Sequence, residues 1–490
     1  MVNSLPEDSR WYEFAARRRA HRAGAVGDGV LTTVYLLVMM AATAVALGFA
    51  GPLRWAAIGL IVAVTFAVIT RSGPNRIGLV LATVAVGTAP WNAVTVAGVR
   101  PGDLALVAAI GFLLLSRRSV AAFPTLVVPA WLLVLIGAVA ALTAAHELIP
   151  IDPMYLSGRS TLDAIGGSVD AVFTNVGIGG RWLVSLVGLP LLFVLARQQG
   201  PKVICRLAIA FVVGVAVSGY VAVTDALGIT AFSAHFIIPD SGGRQAGLTV
   251  HPNHLAATAC LAVPFVFWMF TRGERRSNVV ASFALVAVLA AVYESGSRGG
   301  AVCVVLAAAL TLVLVRSLRS RLPLVVGGMF AAMFVVFGLF PGAVSQLLTS
   351  VRLSNGAGVD GSDQVRAALG AQGSADFRHS PFFGIGMQVG LDAHNIYRQL
   401  LAAGGIVLFG CFLVFAIGAL RCAIRVGPSQ PLAFAAAASI AAWLLFGMVE
   451  NLLTDRFLYV PVGILVALVQ ESRAVGSPVE RGSPALTGAT

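Results

Sequence analysis

Apolar runs of about 20 residues recur along this chain, and that feature alone excludes most folds. A run of that length crosses the roughly 30 Å hydrocarbon core of a bilayer as an α-helix. Inside that core every backbone N–H and C=O must be bonded within the protein, so only helices and closed barrels cross it. Barrel strands would read as short segments of alternating polarity, and no such alternation occurs here. Of the 490 residues, 58% are hydrophobic and 11% charged, against about 25% charged in an ordinary soluble protein. The sequence predicts an all-α, polytopic integral membrane protein.

The runs place about 14 transmembrane helices (12 to 14), near 28–50, 52–70, 77–91, 102–116, 124–144, 182–198, 203–225, 252–271, 277–294, 298–315, 322–341, 395–420, 431–449 and 455–470. Residues 1–27 carry Arg17, Arg18, Arg19 and Arg22 ahead of a full-length apolar run, and read as a retained cytoplasmic tail, not a cleaved leader. Residues 28–470 read as one membrane domain, and 471–490 as a disordered cytoplasmic tail.

The basic residues give the sidedness. With the N-terminus inside, 22 of the 33 Lys and Arg fall on the inner side. The carboxylates favour the outer side. This is the bias of a bacterial inner (plasma) membrane protein with both termini cytoplasmic. The net charge of +12 is thus a topology signal and not a sign of nucleic-acid binding. Long connections occur only outside, at about 145–181, 226–251 and 342–394; the last and largest separates spans 11 and 12. Extra sequence is where sites are built, so the chemistry is expected on the extracytoplasmic face. The five cysteines form no CxxC pair and read as inert thiols.

Four polar stretches interrupt this pattern. "ESGSRGG" puts Glu294 and Arg298 in a tight outer turn. A charge at a helix end pairs locally, snorkels to head groups or faces a polar cavity; Gly299 and Gly300 permit close approach. "GGRQAGLTVHPNHLA" carries Arg244, His251, Asn253 and His254 at the start of a span, as cap or as ligand site. "GLDAHNIYRQLLAAGG" puts Asp392, His394 and Asn395 before a helix; an Asp near a His suits a proton acceptor, while either Asp or Asn suits a cap. "GMVENLLTDRF" holds Glu450, Asp455 and Arg456, read as pairing internally. Arg181, Arg244 and Arg298 near outer helix ends suit a phosphate-bearing ligand, because the guanidinium fork binds phosphate oxygens in pairs. Without a Walker motif, a lipid pyrophosphate fits better than a nucleotide.

"HPNHLAATACLAVP", then "SGSRGGAV", then a long loop closing "SPFFGIG…AHNIYRQLLAAGGI", resembles the O-antigen ligase and O-antigen polymerase superfamily over about 240–460. These enzymes are related in architecture to GT-C glycosyltransferases. The resemblance implies a glycosyltransferase that moves a glycan from a polyprenyl-diphosphate carrier to an acceptor (glycolipid, cell-wall polymer or protein), inverting, with no metal and no cofactor. By position it implies His394 and Arg298 as catalytic residues. Arg298, Arg244 and Arg181 would hold the donor diphosphate, with Asn253, Asn395, Asp392 and Glu294 in support. Ile406, Val407 and Leu408 stand where ligase-type sequences often carry Thr, so a polymerase of the same superfamily stays open. A transporter or flippase of a lipid-linked sugar or anion is the reading from another class. It would need mid-membrane polar or broken helices and inverted repeats.

Overall fold

The computed structural model describes residues 74–95, 100–115, 128–149, 175–237, 243–319, 357–387 and 394–476. Two compact units divide at Val80, and the second holds nearly all of the described residues. The spans expected at 28–50, 52–70 and 322–341 lie outside the described residues, as do both expected tails except for Glu471–Gly476.

Every other expected span coincides with helix, and no strand occurs among the described residues. The longer helices are α1 Pro74–Gly87, α2 Pro101–Leu115, α3 Ala130–Leu148, α4 Asn175–Arg197, α5 Pro201–Ala226, α6 Pro252–Thr271, α7 Arg275–Ser295, α8 Arg298–Leu314, α9 Ala357–His379, α10 Ile396–Val426, α11 Pro431–Phe446 and α12 Val460–Gly476. A 3₁₀ turn, Arg456–Tyr459, leads into α12. Several helices begin with Pro, which lacks an N–H where none is needed and has φ already set for the first turn. Six described helices are long and apolar enough to cross a membrane, and shorter apolar helices accompany them. The protein is a multi-pass membrane protein. Helix α9 lies within the stretch read as the largest connection.

Helix α6 is the centre of the packing. It touches α5, α7, α8 and α11, and nearly all its residues from Leu255 to Met269 are buried. The "ESGSRGG" stretch is how α7 and α8 come to flank it. Gly296 ends α7 in the left-handed region at φ 56°, where other residues are strained. Ser297 then caps α8 by accepting from the Gly300 N–H at 3.2 Å. A Cβ on Gly300 would lie 2.5 Å from the Ala256 Cβ of α6, so the glycine sets the closeness of that crossing.

Helix α10 is broken. Gly405 sits at φ 62°, ψ −159° inside it. A break in an apolar helix frees carbonyls and N–H groups that lipid cannot satisfy. Here the segment Pro381–Gly386 fills the gap with its own backbone. Ile385 and Gly386 N–H groups donate to Ala402 and Ala403 carbonyls at 2.8 and 3.1 Å, and Ile406 and Val407 N–H groups donate to Pro381 and Phe382 carbonyls at 2.9 and 3.3 Å. The stretch "SPFFGIG" is therefore a plug for "AAGGI". A Cβ on Gly405 would meet the Phe382 carbonyl carbon and oxygen at 2.3 Å, and positive φ adds about 1–3 kcal/mol for a non-glycine residue. Gly405→Ala is expected to lower the melting temperature of the detergent-solubilised protein sharply or to abolish folded yield. Gly410→Ala is the control, since its Cβ would meet nothing within 4 Å, and it should melt like wild type.

Candidate active site

At one end of the bundle, connections distant in sequence close on each other. The start of α10 is fixed first. Asn395 caps the helix, its Oδ1 accepting from the Tyr397 and Arg398 N–H groups at 3.0 and 3.1 Å. Its Nδ2 donates to the Met448 carbonyl at 2.8 Å, and the Ile396 N–H donates to the Gly447 carbonyl at 2.7 Å. The head of α10 is thus pinned to the connection that comes after α11.

That anchoring brings Glu450 against His394. The His394 Nδ1 lies 3.1 Å from the Glu450 Oε1, with side chains 31% and 3% exposed. The other carboxylate oxygen accepts from the Asn253 Nδ2. The Asn253 Oδ1 accepts from the Arg244 Nη2 at 2.7 Å, and the Arg244 Nε donates to the Ser295 carbonyl at 2.7 Å. The Gln245 N–H donates to the Glu294 carbonyl at 2.9 Å, fastening the same loop to the end of α7. Arg298 opens α8 just beyond, and a Cβ on neighbouring Gly299 would touch Val449 at 2.8 Å. One line of contacts therefore runs from the α7–α8 turn through Arg244, Asn253 and Glu450 to His394.

The geometry fixes a tautomer. Glu450 lies in the connection between α11 and the 3₁₀ turn, outside both apolar helices. Burial alone would raise its pKa. The hydrogen bond and charge of His394, the charge of His254 and the hydrogen bond from Asn253 outweigh this and hold it at about 2. An ionised carboxylate only accepts, so in its neutral form His394 carries its proton on Nδ1, toward Glu450, and its lone pair on Nε2. His394 has φ 43°, the one non-glycine residue at positive φ among those described. Such strain concentrates where function over-determines the backbone.

A second His–carboxylate pair lies beside the first. The His254 Nδ1 is 3.0 Å from the Asp455 Oδ2, with side chains 15% and 7% exposed. Asn92 donates to the Asp455 Oδ1 at 3.1 Å and accepts from the Val250 N–H at 2.9 Å. Burial opposes ionisation of Asp455, but the charge and hydrogen bond of His254, the charge of Arg100 and the bond from Asn92 hold it at about 2. This pair is more enclosed than His394–Glu450 and ties α6 to the α11–α12 connection.

The sequence-predicted residues divide accordingly. His394, Arg244 and Asn253 fall in one chain of contacts, with Arg298 at its edge. His251 is the cap of α6, its Nδ1 accepting from the Asn253 N–H at 3.1 Å. Asn395 acts as a cap and anchor, and Glu294 contributes its carbonyl. Asp392 lies outside the described residues. Arg181 keeps other company, near Arg100 and Arg456. The expected internal pairing of Glu450, Asp455 and Arg456 gives way to bonds reaching three other elements. Asn92, Arg100 and Asp103 give no signal in the sequence, where short apolar runs hide them.

Residues 283–413 match the family model for O-antigen ligase. The match covers about a quarter of the chain and supports the O-antigen ligase superfamily. No curated protein matches the chain. The matched segment contains Glu294, Arg298, His394, Asn395 and the α10 break, whereas Arg244, Asn253 and Glu450 lie outside it and join it through their hydrogen bonds.

Both depressed carboxylates predict the acid behaviour. Their contribution to stability is complete above the unfolded values near pH 4 and is lost as pH falls toward about 2. Melting temperature in detergent should hold between pH 7 and 5 and fall by several degrees between about pH 4.5 and 3. Glu450→Gln and Asp455→Asn should each start lower and fall less across that interval. A variant as steep as wild type would mean its carboxylate does not govern the loss.

Proposed function

We propose that this protein is a glycosyltransferase of the bacterial inner membrane that moves a glycan from a polyprenyl-diphosphate carrier to an acceptor on the extracytoplasmic face. The observation that carries the reading is the line of contacts from Arg244 through Asn253 and Glu450 to His394. It sets guanidinium groups and a histidine whose Nδ1 faces a carboxylate at one end of an apolar bundle. The connections that meet there are all ones that the Lys/Arg bias assigns to the outer side, which supports the sidedness.

In this mechanism an acceptor hydroxyl oxygen attacks the anomeric carbon of the donor sugar. The bond from that carbon to the diphosphate oxygen breaks, and the configuration inverts. The hydroxyl proton passes to His394 Nε2, while Glu450 at Nδ1 stabilises the imidazolium that forms. Charge develops on the departing diphosphate, where Arg298 and Arg244 stabilise it without metal. Asn253 is a positioning residue, since it holds Arg244 and Glu450 to each other. The greater exposure of His394 favours it over His254 as the proton acceptor. A polymerase would use the same groups with the acceptor still on its own carrier.

The test is a lipid-carrier profile in the native host at matched expression. Arg298→Ala and His394→Ala should each cut transfer by about 100-fold or more, the range of a lost charge stabiliser or proton acceptor. Glu450→Gln should retain more activity than His394→Ala. Full-length polymer held on the carrier with bare acceptor would mark a ligase, and single repeat units held there a polymerase. Stable, fully active Arg298→Ala and His394→Ala proteins would sink the mechanism.

A further inference from the structure

Arg456 is the one arginine buried among the described residues. Its Nη1 bonds Asp103 Oδ1 at 2.8 Å, while its Nε is buried with no partner. The guanidinium lies over the first turn of α2, where Gly102 leaves room: a Cβ there would come within 3.1 Å of both terminal nitrogens. Arg100, half-buried just before α2, and Arg181, exposed on α4, are close enough that their charges act on Arg456 and on each other. The fold holds α4 in this place. One turn after Arg181, the Ser185 hydroxyl bonds both the Arg181 carbonyl and the Thr454 carbonyl, at 3.1 and 3.4 Å. Trp182 donates to the Tyr459 hydroxyl, which donates to the Leu453 carbonyl.

The charges there do not balance. Among the described residues three guanidiniums face two carboxylates, and Asp455 is already engaged by His254 and Asn92. For the buried Arg456, the charges of Arg100 and Arg181 nearby are costly unless an anion completes the set. These arginines adjoin the Asn92–His254–Asp455 unit, through the charge of Arg100 on Asp455, whereas Arg244 is held by Asn253 and Ser295, so the two sets have different partners.

We propose that Arg100, Arg181 and Arg456 form a second oxyanion site, which takes a phosphate group other than the donor diphosphate. Exposed Arg181 is the point of access, and buried Arg456 the floor. Assigning that phosphate to the acceptor side rests on the transferase reading; the anion site itself does not. The phosphate belongs either to a membrane-lipid headgroup or to a group carried on the glycan or acceptor.

Full-length protein in phosphatidylcholine nanodiscs would be titrated with inorganic pyrophosphate by calorimetry. Wild type should show two classes of site. Arg181→Gln and Arg100→Gln should each weaken one class by about tenfold or more, the scale of a lost charge-assisted bond, and spare the other. Arg298→Gln should do the reverse. One class in wild type, or an Arg181→Gln titration like that of wild type, overturns the proposal. Loss of a class in Arg181→Gln with Arg298→Gln unchanged would leave the second site standing and remove the donor reading. Arg181 carries the test because, being exposed, it can change without emptying a packed position, unlike Arg456. In phosphatidylglycerol nanodiscs, loss of the Arg181-dependent heat in wild type identifies a lipid headgroup as occupant. Retained heat rules out that headgroup as the occupant and leaves a phosphate on the glycan or acceptor.

Discussion

A buried carboxylate with two occupied oxygens holds this end of the bundle together. Glu450 takes His394 on one oxygen and Asn253 on the other, so α10, α6 and the α11–α12 connection cannot separate without exposing an unpaired charge. Leaving such a charge uncompensated costs about 3–5 kcal/mol, far more than a surface pair contributes. The same bond sets the His394 tautomer. Structural cohesion and the availability of Nε2 therefore have one cause, and a substitution at Glu450 disturbs both.

Much of the helical framework is legible in the sequence because its signal is simple. Apolar length marks spans, and a glycine–serine turn between two runs marks a reversal, as at Gly296 and Ser297. The individual candidates His394, Arg244 and Asn253 are also legible, since polar residues at the mouths of apolar helices are few. Their partners are harder to see. Glu450 and Asp455 lie within six residues of Arg456, and local ion pairing is the natural reading of that stretch. Only the fold shows each reaching a different element, across 56, 201 and 353 residues of sequence. By sequence Arg181 groups with Arg244 because both sit near helix ends. Proximity along the membrane normal carries no information about position around the bundle, and the packing of α4 against Thr454 sets Arg181 elsewhere.

The break in α10 bears on the alternative of transport. Discontinuous helices are how many transporters offer backbone carbonyls to an ion or substrate, and Gly405 supplies such a discontinuity. Its carbonyls, however, are occupied: Ala402 and Ala403 accept from Ile385 and Gly386, and the N–H groups beyond the break are taken by Pro381 and Phe382. A break bonded on both sides presents little to a passing solute. What it does instead is join the segment after α9 to the helix that Asn395 caps, with His394 immediately before it. At the head of that helix, His394 meets Glu450 from a strained backbone position. A mouth bonded in this way suits a group that must hold one geometry for proton transfer. It suits poorly a helix that must rock to open and close a path.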